Sequence, residues 1–363
     1  MNRTAEKLHS IGQSIWLDNI THRLLASGTL LSYIRELSVT GLTSNPTIFD
    51  HAIKNSNDYD DVIRRKLDEG MSGEGLFFEL ALEDLRQAAD LFWPIYDRTD
   101  GVDGWVSLEV SPLLAHDAKG SVAAATDLHA RAARPNLFIK IPGTTEGLVA
   151  IEESIFRGSP VNVTLLFSCA QYQAAAQAWL RGIERRIAAG LDPKIGSVAS
   201  LFVSRWDVAA NKELPPSLHN QLGIAVATQA WRAYRELLAS PRWLKVVEAG
   251  AHPQRLLWAS TGTKDPKAPD TLYVEKLAAP DTVDTIPEKT LLAFADHGQA
   301  RQSLALEGDA ADSLIAACAS EGVDIDALAA RLQREGEEAF SASWRALLDG
   351  IDTKARTLAG HPQ

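Results

Sequence analysis

GWVSLEV (residues 104–110), SVAAATDLHARAA (121–133) and LFIKIP (137–142) follow one another along the chain. The first and third are short apolar runs of strand character. The second carries the apolar spacing of an amphipathic helix. Strand and helix in alternation specify a parallel sheet. The same alternation continues in both directions. Further strands are expected at Ser14–Asp18, Thr40–Asn45, Pro160–Ser168, Ser197–Val203, Arg255–Thr261 and Thr282–Ile286. Amphipathic stretches between them include Leu24–Glu36, Gly75–Phe92, Ala170–Ala189 and Ile224–Leu238. Eight such strands favour closure into an α/β fold of the (β/α)8 TIM-barrel type over an open doubly wound sheet.

The segment Asp58–Tyr96 is long enough for more than one helix. From about Gly298 the chain is rich in Ala, Leu and Glu, with helical periodicity and no strand signal. Residues 298–363 are therefore expected as additional helices packed on a single barrel domain spanning 1–363. No Ser/Gly linker, low-complexity tract or internal repeat divides the chain.

With 363 residues, 45% of them hydrophobic, the chain can bury a full barrel core. The formal net charge of −11 repels nucleic-acid phosphates, so no nucleic-acid partner is expected. Small anionic substrates stay open, because a few local cations can hold them. The two cysteines, Cys169 and Cys318, form neither a metal spacing nor a disulfide framework. A single disulfide between them stays open, with a reducing compartment the simpler reading. The first ten residues carry Arg3, Glu6 and Lys7 and no apolar run, unlike a secretory signal. No apolar stretch is long enough to span a bilayer, so no membrane association is expected and the location is read as cytoplasmic.

Alternation along each strand assigns faces. In LFIKIP, Phe138, Lys140 and Pro142 share one face and Ile139 and Ile141 the other. If the isoleucines meet the helices, Lys140 points into the lumen near the strand's C-terminal end. Burying an ammonium there depresses its pKa, as an amine nucleophile for a carbonyl requires. A lone lysine in an apolar strand more often lies exposed at a sheet edge. The neighbouring strands weigh against that. Trp105, Ser107 and Glu109 alternate with Val106, Leu108 and Val110. Asn162, Thr164, Leu166 and Ser168 alternate with Val161, Val163, Leu165 and Phe167. Trp16 pairs with Asp18; Val198 with Ser200 and Phe202; Trp258 with Ser260. A purely structural lumen would hold Val, Ile and Leu. Polar groups on so many inward faces point instead to a site, since buried polar groups must be satisfied. A lysine with two carboxylates suggests carbonyl chemistry with proton transfer.

Two loops suit phosphate: Ser204-Arg205-Trp206-Asp207, and Thr261-Gly262-Thr263-Lys264-Asp265. Arginine presents a planar fork and glycine permits close backbone approach. Late βα loops are a common phosphate site in barrels. The Gly-Thr-Lys triplet is not a P-loop, because the spaced upstream glycine is absent. Phe77-Phe78 and the tryptophans read as core. His22, His51, His116 and His129 show no metal spacing and read as surface or cap residues.

These segments together resemble the transaldolases, in particular a longer bacterial form, over Ile15 to Pro287. The matching stretches are Trp16-Leu17-Asp18, Gly41-Leu42-Thr43-Ser44-Asn45-Pro46, Ser107-Leu108-Glu109-Val110, Ile139-Lys140-Ile141-Pro142 with Thr144 and Gly147-Leu148, Asn162-Val163-Thr164-Leu165-Leu166-Phe167-Ser168, and Ser200-Leu201-Phe202-Val203-Ser204-Arg205. The resemblance implies that Lys140 is a Schiff-base lysine and Asp18 the acid–base group on the hydroxyl beside the breaking bond. It implies that Glu109 transfers protons through a water held by Thr164. It makes Asn45, Asn162 and Ser200 contacts to a dihydroxyacetone unit and Arg205 a phosphate contact. Ser260 and Lys264 are taken with them as substrate-binding residues. The implied reaction converts sedoheptulose 7-phosphate and glyceraldehyde 3-phosphate to erythrose 4-phosphate and fructose 6-phosphate. It belongs to the non-oxidative pentose phosphate pathway. Sugar phosphates are the implied partners, no metal or organic cofactor is implied, and relatives occur as monomers and homodimers.

One departure matters. Shorter members of that family carry arginine where this chain aligns Gly262, and the cation nearby here is Lys264. A related fructose 6-phosphate aldolase is the nearest alternative. Those relatives are much shorter and have glutamine in place of Glu109 and tyrosine in place of Phe202. An isomerase fusion would need a longer chain. From a different class, a catalytically silent barrel serving as a binding or scaffold protein is countered by the intact Lys140, Asp18 and Glu109.

Overall fold

A computed structural model describes residues 2–305 and 308–359. Eight strands form a closed barrel in sequence order: β1 (Gln13–Asp18), β2 (Val39–Thr43), β3 (Val106–Glu109), β4 (Leu137–Pro142), β5 (Val161–Leu166), β6 (Ser197–Phe202), β7 (Arg255–Ala259) and β8 (Thr282–Ile286). Every pairing is parallel, and β8 returns to β1 with Thr282 beside Gln13. The expected (β/α)8 architecture is the one observed.

Two apolar layers hold it. Outward-facing Val106, Leu108, Ile139, Ile141, Val161 and Val163 pack beneath the helices. Inward-facing Trp16, Trp105, Phe138, Val198, Leu257 and Val283 fill the lower lumen. Trp105 and Phe138 stack there with ring centroids 3.9 Å apart. Each such side chain contributes roughly 1.5–3 kcal/mol by leaving water. A polar seal closes the floor: Trp16 Nε1 donates to Asp103 at 2.8 Å, and Arg255 donates to Ser14 Oγ at 2.7 Å. With the N-terminal half of the lumen packed, open space is left at the C-terminal mouth.

The strict two-residue alternation fails at two places. Leu165 adopts φ 59° and Ser260 φ 57°, both left-handed. At Leu165 the β5–β6 register shifts, so Leu165 turns inward and Leu166 packs on the helix side. Leu166 was expected beside Asn162 and Thr164; the bulge moves it. Trp258 likewise lies on the helix side, donating Nε1 to the Leu277 carbonyl at 2.9 Å, while Leu257 and Ala259 face inward. Trp258 therefore does not share a face with Ser260, which the left-handed turn swings into the mouth.

Helix ends follow their caps. The expected strand Thr40–Asn45 stops at Thr43, because Asn45 caps helix Pro46–Lys54 by accepting from Ile48 N. Ser168 is not a strand residue: it forms a capping box with Gln171 at the start of helix Cys169–Ala188. Leu24–Glu36 divides into helices His22–Ala26 and Thr29–Glu36, with Gly28 at φ 75° between them. The long segment before β3 holds helices Asp60–Asp68 and Gly73–Arg98.

Beyond β8 come helices Glu288–His297, Ala310–Ser320 and Ile325–Leu358. Residues 306–307 and 360–363 of the expected 298–363 extension lie outside the described residues. Helix Ile325–Leu358 runs along Pro46–Lys54 and across the barrel mouth. Gln333 Nε2 donates to the carbonyls of Gly143 (3.1 Å) and Leu165 (3.0 Å), at the ends of β4 and β5. Trp344 packs edge-on against Phe77, centroids 5.0 Å apart, which puts the Phe77-Phe78 pair in the core. Among the described residues no helix is long and apolar enough to cross a membrane.

Candidate active site

The space left at the mouth is a cavity of about 280 Å³. Its lining includes Asp18, Asn45, Lys140, Thr164, Ser200, Arg205, Ser260 and Lys264, eight of the residues singled out from sequence. The strand ends explain the convergence. Inward side chains in the last turn of a parallel barrel strand all point to one end of the lumen.

Lys140 and Glu109 are register partners on β4 and β3, and each is only 5% exposed. Lys140 Nζ lies 3.4 Å from Glu109 Oε2 and donates to the Ser44 carbonyl at 3.1 Å. Glu109 Oε2 itself is buried without a hydrogen-bond partner among the described residues. Burial pushes the Glu109 carboxyl up, and the nearby ammonium holds it back. Asp18, at the end of β1, accepts from Thr43 Oγ1 at 2.8 Å. Burial raises its pKa too, against the pull of Lys140 and then of the Thr43 hydroxyl. The site thus combines an amine with two carboxyls, each biased towards holding a proton.

Asn162 is fully buried between Ser107 and Ser200. Its Nδ2 donates to Ser107 Oγ at 3.2 Å, and Ser200 Oγ donates to its Oδ1 at 2.7 Å. That chain fixes the amide's orientation, leaving Ser200 to line the cavity. Thr164 Oγ1 is buried without a hydrogen-bond partner among the described residues. Asn45 uses its side-chain oxygen as a helix cap, so its amide nitrogen is the group left for a ligand.

Arg205 stands in the first turn of helix Ser204–Ala210, with its guanidinium 5.5 Å over the Phe202 ring. Burial holds its pKa below the ordinary arginine value, against the smaller pull of the Glu335 carboxylate. The helix carrying it is pinned. Asp207 accepts from Gly223 N (3.1 Å) and Tyr273 OH (2.8 Å), and Trp206 Nε1 donates to the Phe167 carbonyl (2.8 Å). Ser260 Oγ lies 2.9 Å from Ser204 Oγ, linking the β6 and β7 loops. Lys264 is exposed, and its Nζ lies 3.8 Å from the point a Cβ on Gly262 would occupy. The ammonium therefore reaches the space where a longer residue at 262 would begin.

Two contributors escaped sequence reasoning. Phe340 lines the cavity from helix Ile325–Leu358, far along the chain, and no local signal links it to the strand ends. Thr43, which lines the cavity and holds Asp18, stood in a quoted segment without a role. His22 pairs with Asp84 at 3.0 Å, and His116 lies between Glu146 (3.1 Å) and Glu337 (3.0 Å), away from the cavity lining. Cys169 and Cys318 are both free.

The family model described as Transaldolase/Fructose-6-phosphate aldolase matches residues 15–351. The transaldolase of Acidothermus cellulolyticus is 45% identical over 354 residues, covering 95% of each chain. That of Frankia alni is 43% identical over 360 residues, covering 97% of each. That of Thermobifida fusca is 44% identical over 370 residues, covering 99% of this chain and all of its own. Barrel, cavity and full-length similarity agree, and the chain belongs to the transaldolase/fructose-6-phosphate aldolase family.

Proposed function

We propose that this chain is a transaldolase moving a dihydroxyacetone unit between sugar phosphates, with sedoheptulose 7-phosphate and glyceraldehyde 3-phosphate as one substrate pair. The Lys140 amine attacks the ketose carbonyl carbon. Glu109 supplies a proton as the resulting carbinolamine loses water to give an iminium ion. Asp18 takes the proton from the hydroxyl beside the breaking bond. The carbon–carbon bond then cleaves, its electron pair enters the iminium, and an aldehyde phosphate leaves. The enamine carbon attacks the second aldehyde while Asp18 returns the proton to its oxygen. One water hydrolyses the new iminium, releasing the product ketose and restoring the amine. An iminium electron sink avoids a bare carbanion at the cleavage step.

Thr164 would hold the water that Glu109 uses, and Asn45, Asn162 and Ser200 would orient the dihydroxyacetone hydroxyls. Arg205 would take the phosphate as a fork, with Lys264 as a second, point charge and Ser260 at its edge. In the same reading residues 298–363 complete the barrel unit instead of forming one of their own. The observation that carries the reading is the 3.4 Å contact of Lys140 Nζ and Glu109 inside a barrel whose mouth also presents Asp18 and Arg205.

Borohydride trapping with a ketose phosphate, followed by peptide mapping, tests it. The expected result is a reduced adduct on the peptide containing Lys140. Absence of any adduct under turnover conditions, in folded protein, would overturn the reading in favour of a non-catalytic barrel.

A further inference from the structure

The long C-terminal helix puts one apolar ring over the amine. Phe340 is buried, lines the same cavity as Lys140, and has its ring centroid 6.0 Å from Lys140 Nζ. It meets Phe202 edge-on with centroids 6.4 Å apart, and Phe202 meets Phe167 at 5.3 Å. Phe340 and Phe202 make an apolar wall of the cavity beside its polar groups, and Phe167 backs Phe202.

That wall is fixed on both sides of Phe340. Towards the helix N-terminus, Gln333 is bonded to the ends of β4 and β5, and Glu337 holds His116. Gly336, one turn before Phe340, lets the helix come close: a Cβ there would lie 2.9 Å from Leu165 Cδ2. Towards the C-terminus, Ser343 accepts from Thr47 at 2.9 Å and Trp344 is wedged against Phe77 and Phe78. A loosely tethered helix would not hold a ring at one height above the strand ends.

No covalent step in the proposed reaction needs an aromatic ring, so its use must lie in what it keeps out. On the reading given above, cleavage leaves an enamine on Lys140 with two fates. Its carbon attacks the acceptor aldehyde, forming a carbon–carbon bond while the aldehyde oxygen gains a proton. Alternatively the same carbon takes a proton from solvent, after which one water hydrolyses the iminium, frees dihydroxyacetone and restores the amine. Both routes consume one intermediate and both end in iminium hydrolysis. They differ only in whether an aldehyde or a solvent proton reaches the carbon first. An apolar surface offers no donor and holds water poorly.

We propose that Phe340 is a specificity-determining residue: its ring roofs the enamine and biases it towards transfer over release. The proposal rests on the transaldolase reading and is tested by a partition ratio. Wild type, Phe340→Ala and Phe340→Leu are given fructose 6-phosphate, with and without erythrose 4-phosphate. Free dihydroxyacetone and the transfer product are both measured. Opening the roof is expected to raise the ratio of release to transfer by about tenfold or more in Phe340→Ala, with Phe340→Leu, which keeps an apolar cover, close to wild type. Misfolding lowers both rates and leaves their ratio alone, because both products come from one intermediate. An unchanged ratio in Phe340→Ala overturns the proposal and makes Phe340 a packing residue. Lack of a Lys140 adduct in the wild type is a separate failure, that of the functional reading itself.

Discussion

Glu109 and Lys140 face each other across the β3–β4 register, 3.4 Å apart and almost without solvent, yet the Glu109 oxygen nearest the amine has no hydrogen-bond partner among the described residues. A carboxyl so placed keeps a raised pKa and stays available as a proton donor. Glu109→Gln preserves the shape and removes the proton. General acid–base contributions of about 100- to 10,000-fold set the expected fall in kcat. KM should change little, because the residue acts on dehydration more than on binding. Steady-state kinetics beside the rate of borohydride-trappable adduct formation checks this. A variant with wild-type adduct formation would remove Glu109 from that step.

Lys140→Ala should abolish turnover and leave the barrel folded. Removing one partner of a buried ion pair usually destabilises strongly, because the other charge is stranded. Here the stranded partner is a carboxyl already biased towards its neutral form, which softens the loss. Circular dichroism and thermal melting should show a folded variant with a modestly altered midpoint. Residual turnover of sugar phosphates above background would defeat the assignment of Lys140 as nucleophile.

The site was largely legible because parallel strands translate sequence alternation directly into faces. Val106, Leu108, Ile139 and Ile141 marked the helix side, so Glu109 and Lys140 had to face inward. The same logic misassigned Leu166 and Trp258. Each misassignment arises near a residue in the left-handed backbone region, Leu165 next to Leu166 and Ser260 two residues after Trp258, and neither is a glycine that would have flagged it. Phe340 was invisible for another reason. Helical periodicity shows that a helix has a buried face, but not which distant strand ends it will cover.

Arg205→Ala should mainly raise KM for phosphorylated sugars. The carboxylate that acts on the arginine, Glu335, also pairs with Arg331 at 3.7 Å, so losing Arg205 leaves it with a partner. A charge-assisted contact contributes about 1.5–3 kcal/mol, or roughly 10- to 150-fold in KM. Lys264, exposed and a point charge, should contribute less, within about tenfold for Lys264→Ala and diminishing in added salt. KM measured across ionic strengths separates the two. Equal effects from both variants would make Lys264 the full counterpart of the missing fork.

Asp284 offers a prediction about stability that is independent of catalysis. It lies on β8 beside Ile15 and Trp258, both helix-side residues, and among the described residues neither carboxyl oxygen has a well-formed hydrogen bond, with the Thr261 hydroxyl the polar influence that opposes burial. The Thr261 hydroxyl donates to the Thr285 carbonyl at 3.1 Å. Burial pushes the Asp284 pKa from 3.8 up to about 7. In the unfolded chain the group ionises near its ordinary value, so between about pH 4 and pH 7 the native state holds the extra proton. Stability from this group is therefore complete below the unfolded pKa, declines from there as pH rises, and is fully lost once pH has passed the folded pKa. The full span is on the order of 4 kcal/mol. Asp284→Asn carries no ionisable group, so its melting temperature relative to wild type should begin to rise above about pH 4, rise further between about pH 5 and pH 7, and level off near pH 8. Other raised carboxyls, such as Asp207 at about 6, titrate in the same window in both proteins. The difference between the two melting curves isolates Asp284, and curves that stay parallel across this range would mean that its carboxyl is already ionised at pH 5.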